Sequence, residues 1–280
     1  MKLSPRYDGP AILAIDGDPG DQGVPLARQR RRLESLLAGL GEDEWRAPTR
    51  CDGWTVQDVA AHLVGVNAFW EGSVVSGLAG SPTRVLGGFD PAAHPPLMIE
   101  PMRAQSPRET FDQLVTSDDG FLGAVADLDD DGWSATSESP AGHVSVRLLA
   151  HHALWDAWVH ERDIALPLGL TPAVEADEVA SSLRYAAAVG PALTISQGRA
   201  SRGVLGVVAS DPDVTFTLEV GDSVLVRDGT PLAGVPCLYG DAVELVEALS
   251  VRAPLPDGAP DAWHELIRGL ATVFDTVPQT

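Results

Sequence analysis

Lysine is all but missing. Lys2 stands alone against eighteen arginines, and those nineteen basic residues face forty acidic ones, leaving a net charge of −21. A surface so acidic repels phosphate backbones and anionic lipid, which argues against nucleic acid and membrane surfaces as partners. Cysteine is nearly absent too. Cys51 and Cys237 are far apart and form no CxxC pair, which argues against a disulfide framework and fits a reducing compartment. No run approaches the roughly 20 apolar residues of a membrane span. The start, MKLSPRYDGPAILAID, has no long apolar core behind a basic stretch, so it does not read as a signal peptide. The expected location is the cytoplasm. Gly87-Gly88 reads as a turn, there is no phosphate loop and no GxSxG, and no internal repeat or low-complexity tract is visible.

What is present is ordinary globular material. Hydrophobic residues make up 44% and charged residues 21% of the 280 positions, a length that suggests two domains. Residues 1–22, broken by Pro5, Gly9, Pro10, Gly17, Pro19 and Gly20, read as an extended, irregular arm. Residues 23–169 carry four helical patterns. The first runs from Pro25 to Leu40, with Leu26, Leu33, Leu36, Leu37 and Leu40 on one face. The second begins at a capping box, Thr55 with Asp58, and reaches about Gly77. A Gly- and Pro-rich connection covers 78–105. The third helix opens at Ser106-Pro107, and the fourth spans about 144–166 until Pro167 and Gly169 close it. Four such helices predict a bundle. Residues 170–280 change character. A helix from Thr171-Pro172 to Gln197 precedes β-like runs at 203–209, 214–220 and 223–229, and helical patterns return at 240–250 and 261–275. The expected fold class is therefore an N-terminal four-helix bundle followed by a small α+β C-terminal domain.

Histidine is where chemistry enters. Of seven histidines, four lie on the second and fourth helices. His62 sits on or beside the apolar stripe of the second helix, where a lone histidine is more often a satisfied core residue. On the fourth helix, Asp156 and His160 are four residues apart and share one face, and His152 extends that face one turn earlier. An acid and imidazoles aimed into a bundle are costly unless paired or metal-bound. Two histidines and one carboxylate with an open position describe a catalytic zinc or a non-haem iron site. A solvated pair with an i,i+4 hydrogen bond remains the alternative. Cys51 reads as a packing or surface residue, and Trp54, Trp155 and Trp158 read as core or cleft wall.

Two segments resemble a known family. WRAPTRCDGWTVQDVAAHL (45–63) is similar to the N-terminal signature of the mycothiol-dependent maleylpyruvate isomerases, within the wider DinB-like group of metal-binding four-helix bundles. DAWVHERDIALPLG (156–169) is similar to that family's ExxxHxxD segment. The resemblance covers residues 25 to 170 and implies His62, Asp156 and His160 as metal ligands. Asp156 stands where the family has Glu, so the ligand is one methylene shorter. Asp163 matches the acid of HxxD and would orient a ligand. In ALSVRAP (248–254), Arg252 matches a late Gly-Arg pair whose arginine reaches the cleft, with Val251 in place of the glycine. Arg252 is then a clamp for a carboxylate. The resemblance further implies a divalent metal with zinc the first choice, mycothiol as cosubstrate, a small electrophilic substrate for isomerisation or S-transfer, and a homodimer. A hydrolase or oxygenase using water or O2 at the same residues, or a non-catalytic binding protein of the same fold, remains open.

Overall fold

Local signals and long-range packing both shape the chain in the computed structural model, which describes residues 2–16, 22–199 and 202–273. The order is β1 (Leu13–Asp16), α1 (Gly23–Ala38), α2 (Glu42–Trp45), α3 (Val56–Leu78), α4 (His94–Ile99), α5 (Pro107–Val125), α6 (Asp130–Ser134), β2 (Thr136–Ser139), β3 (Gly142–Ser145), α7 (Val146–Ala165), α8 (Ala176–Ser196), β4 (Gly203–Ser210), β5 (Val214–Val220), β6 (Val224–Asp228), β7 (Cys237–Asp241), α9 (Ala242–Leu249) and α10 (Asp261–Val273). None of these helices is long and apolar enough to cross a membrane.

The caps explain the helix starts. Thr55 Oγ1 accepts the Asp58 N–H at 3.2 Å, and the Asp58 carboxylate accepts the Thr55 N–H at 3.0 Å, which closes the box that opens α3. Ser106 and Glu109 do the same for α5, with Pro107 at its first position. Ser145 caps α7, accepting from Leu148 N–H at 3.2 Å. Four long helices, α1, α3, α5 and α7, close a ring: α1 and α3 each pack on both α5 and α7. Leu33, Leu37, Val59, Leu63, Leu114 and Ile164 fill one end of the space between them.

The second layer is a five-stranded mixed sheet in the order β1-β6-β5-β4-β7, parallel at its two outer pairs and antiparallel within. The alternation of 214–220 is realised: Val214, Phe216, Leu218 and Val220 are buried. Helix α8 lies on β1, β5 and β6, and also packs on α1 and α7. One apolar cluster therefore runs from Trp70 and Trp158 through Tyr185 to Phe216 and Trp263.

Several expectations change. The irregular arm ends in a strand, because Leu13–Asp16 pairs in parallel with Val224–Arg227; residues 17–21 of that arm lie outside the described residues. The connection 78–105 contains α4 and a 3-10 turn at Glu100–Ala104. The fourth helix starts at Val146, not 144, since Gly142–Ser145 pairs with Thr136–Ser139 as a hairpin. Helix α8 begins at Ala176 and not at Thr171, and the helical pattern at 240–250 is preceded by β7. The last helix is described to Val273, and the expected final two residues lie outside the described region.

Candidate metal centre

Helix α3 carries His62 in its second turn. Helix α7 carries Asp156 and His160 one turn apart on the face toward α3. One donor atom from each of the three lies within 4.8 Å of the others. His160 Nε2 is 3.7 Å from Asp156 Oδ1, and the His62 and His160 rings meet edge to face with centroids 5.1 Å apart. His62 and Asp156 are half-buried, so the group is not sealed from solvent. Trp54 stands against the His62 ring, 5.4 Å between centroids.

Asp156 Oδ2 is buried and has no hydrogen-bond partner. A carboxylate oxygen in that state is costly, and a cation at the centre of the three donors would relieve it. Two imidazole nitrogens and one carboxylate are the donor set of a zinc or non-haem iron site, so these residues fit such an ion.

A second group, Cys51, His160 and Asp163, also converges within 4.8 Å. Here the positive charge is already supplied. Arg252 forks onto Asp163, Nε to Oδ1 at 2.9 Å and Nη2 to Oδ2 at 2.8 Å. Arg50 Nε adds a contact to Oδ1 at 2.9 Å. The first group, with its unpaired oxygen, is the metal candidate. The second is an anchor for it. Asp163 Oδ2 is 3.1 Å from His160 Nδ1, and the Cys51 thiol donates to the same oxygen at 3.3 Å. Burial opposes ionisation of Asp163, but the His160 and Arg252 hydrogen bonds outweigh it and hold the carboxyl far below the usual range. An ionised carboxylate only accepts, so Nδ1 of His160 carries a proton whatever the state of the ring, and Nε2 is the nitrogen that faces His62 and Asp156 and would give up its proton to a metal.

The other titrations follow from the same neighbours. Burial, helped by the charge of His160, lowers His62 to about 4 against the pull of Asp156. Burial works against His160 as well, yet Asp156, Asp163 and Cys51 raise it to about 10. Asp156 is held below its ordinary value: burial resists, and His160, His62, His152 and Arg30 prevail.

The structure thus brings His62, Asp156, His160, Asp163 and Arg252 to one place. Arg252 uses Nε and Nη2 on Asp163 and leaves Nη1 without a partner among the described residues. It is delivered by a tight helix end. Arg252 N–H bonds Glu247 O at 2.8 Å and Val251 N–H bonds Ala248 O at 3.1 Å, with Val251 at φ +61°, a conformation that ordinarily selects glycine. His152 lies outside the three-donor group, since its Nδ1 bonds the Tyr185 hydroxyl. Cys51 and Arg50 are the residues the sequence reading missed. Both come from the loop between α2 and α3, where no periodicity reports direction; only the proximity of the loop to His62 in sequence hinted at them. Arg50 also bonds Glu247 Oε2 at 2.6 Å and so ties that loop to α9.

A ring of four helices with a two-histidine, one-carboxylate centre between its second and fourth members, backed by a mixed sheet, defines the class. A family model described as the mycothiol maleylpyruvate isomerase N-terminal domain matches residues 26–165, and the chain belongs to that family. A crystal structure of a mycothiol-dependent maleylpyruvate isomerase matches with a TM-score of 0.58 at 17% identity, over 82% of this chain and 88% of that one. A histidine-to-alanine mutant of a mycothiol-dependent maleylpyruvate isomerase matches with a TM-score of 0.57 at 16% identity, over the same shares. These likenesses are of fold. No curated protein matches the chain.

Proposed function

We propose that the protein is a metal-dependent isomerase that uses a low-molecular-weight thiol, mycothiol, on a small electrophilic substrate with a conjugated cis double bond. The observation that carries this is the orphaned Asp156 oxygen among three converging donors, in a chain of a family named for mycothiol and maleylpyruvate isomerisation. His62, Asp156 and His160 hold the ion, for which zinc suits the nitrogen and oxygen donors. When bound, the metal supplies the charge that keeps a thiol deprotonated at neutral pH.

The chain's own residues then set the geometry. Asp163 fixes the His160 ring through Nδ1–H and leaves Nε2 free to coordinate. Arg252 keeps its fork on Asp163 and offers Nη1 to a substrate carboxylate. Trp54 packs edge to face on the His62 ring and restricts its orientation. The thiolate sulfur adds to one carbon of the double bond, and the electron pair moves to the conjugated carbonyl oxygen. The carbon–carbon bond, now single, rotates. The electron pair returns, the carbon–sulfur bond breaks, and the thiolate leaves unchanged. S-transfer is the same addition with the adduct released.

Metal content by plasma mass spectrometry tests the reading, with the His62→Ala and His160→Ala variants alongside. About one ion per chain in the native protein, lost in both variants, is expected, together with cis–trans isomerisation of maleylpyruvate only when mycothiol is added. A native protein that takes up no ion on reconstitution, or isomerises equally well without thiol, sinks it.

A further inference from the structure

The addition step places negative charge on a carbonyl oxygen, and none of the residues assigned so far donates a hydrogen bond to it. We propose that His152 is that donor: its Nε2–H, fixed in place by Tyr185, faces the cleft and bonds the substrate oxygen that becomes an enolate.

His152 precedes Asp156 by four residues on α7, so it occupies the same face one turn away. Its Nδ1 is 2.5 Å from the hydroxyl of Tyr185, on α8. Tyr185 is 1% exposed, and His152 is the only hydrogen-bond partner of that hydroxyl among the described residues. A buried hydroxyl must place its one proton on an acceptor. If His152 Nδ1 carried a proton, the Tyr185 hydrogen would be stranded. Tyr185 therefore donates, Nδ1 is bare, and the proton of the neutral imidazole is on Nε2.

Nε2 has no hydrogen-bond partner among the described residues, yet it is not among the fully buried atoms left without one, so it keeps some access to solvent on the face that also carries Asp156. The ring cannot turn away. Trp70, Trp155 and Tyr185 surround it edge to face, with centroids 4.7, 5.6 and 5.0 Å distant. Trp155 is itself pinned by its Nε1–H to Ser250 Oγ at 2.8 Å. Burial also keeps the imidazole neutral, lowering its pKa to about 4 in spite of Asp156. A neutral donor in an aromatic pocket stabilises an oxyanion without giving up its proton to a bulk acid–base equilibrium. His152 is thus a catalytic residue and Tyr185 a positioning residue. The substrate class that fits is a carbonyl compound conjugated to the reacting double bond.

The role of His152 rests on the isomerase reading; its tautomer does not. Nitrogen-15 NMR on histidine-labelled, zinc-loaded protein at pH 7 reads the tautomer directly. Nε2 protonated and Nδ1 bare is expected, with that preference lost in Tyr185→Phe. An Nδ1–H tautomer or an imidazolium overturns the proposal. In kinetics with mycothiol and maleylpyruvate, His152→Phe is expected to lose about 10²-fold or more in kcat with the KM for thiol and the zinc stoichiometry unchanged, and His152→Gln, which keeps an N–H donor, to recover part of it. An unchanged kcat, or loss of zinc, refutes the donor role. A native protein active with thiol beside a fully active His152→Phe variant fails this inference alone. A native protein inactive with thiol fails the isomerase reading and the catalytic role with it, and leaves the tautomer result standing.

Discussion

Replacing Asp163 with asparagine keeps the shape of the side chain and removes one acceptor at the atom on which the centre depends. Asp163 is fully buried and accepts from Arg252 twice, from Arg50, from His160 and from Cys51. In the variant, the amide nitrogen takes the place of Oδ2. It then opposes Arg252 Nη2 and the His160 Nδ1–H, donor against donor. The flipped amide is worse, since it faces two guanidinium contacts. Two hydrogen bonds to charged groups are lost, each worth about 1.5–3 kcal/mol. Arg252 is one-quarter exposed and can turn to water, so the loss in the metal-free protein should fall near the lower end, about 3 kcal/mol. His160 has its own escape: it moves its proton to Nε2 and accepts from the amide at Nδ1. That tautomer cannot bind a metal at Nε2. Zinc affinity should therefore fall by about 10–100-fold, the scale seen when a partner that orients a ligand is removed. Urea unfolding of the metal-free protein measures the first quantity, and competition with a chromophoric chelator measures the second. Zinc affinity within twofold of native, beside a large loss of stability, would show that Asp163 only staples the helices and would refute the tautomer argument.

Other outcomes follow from the same geometry. His160 is raised from 6.5 to about 10, so its proton stabilises the metal-free fold fully below pH 6.5, and that contribution is lost as pH rises through 10. Zinc must displace this proton, and its affinity should rise by about tenfold per pH unit across that window; a flat profile by calorimetry would exclude it. Arg252→Ala should raise the KM for a carboxylate substrate about 10–100-fold with zinc retained, and Arg252→Lys should not restore it, because an ammonium cannot fork onto Asp163 and still reach the cleft. Gly77→Ala should cost about 1–3 kcal/mol in thermal unfolding, because its added Cβ would stand 2.1 Å from Thr136 O where α3 crosses β2.

The sequence by itself determined what depends on neighbours a few residues away. Spacing by four put Asp156 and His160 on one helical face, Thr55 with Asp58 marked the start of the helix that carries His62, and alternation marked 214–220 as a half-buried strand. These signals are readable because helix and strand periodicities are local. Tertiary structure alone decided the rest. Leu13–Asp16 becomes a strand by pairing with residues more than two hundred positions later, and Thr136–Ser145 is too short a hairpin to announce itself. Arg252 faces Asp163 across 89 positions, Cys51 reaches it across 112, and Tyr185 meets His152 across 33 and a change of helix. Loop residues have no period to point them. What a side chain such as His152 does, whether ligand, core filler or donor, depends on which atom its far neighbour offers, and that is a property of packing.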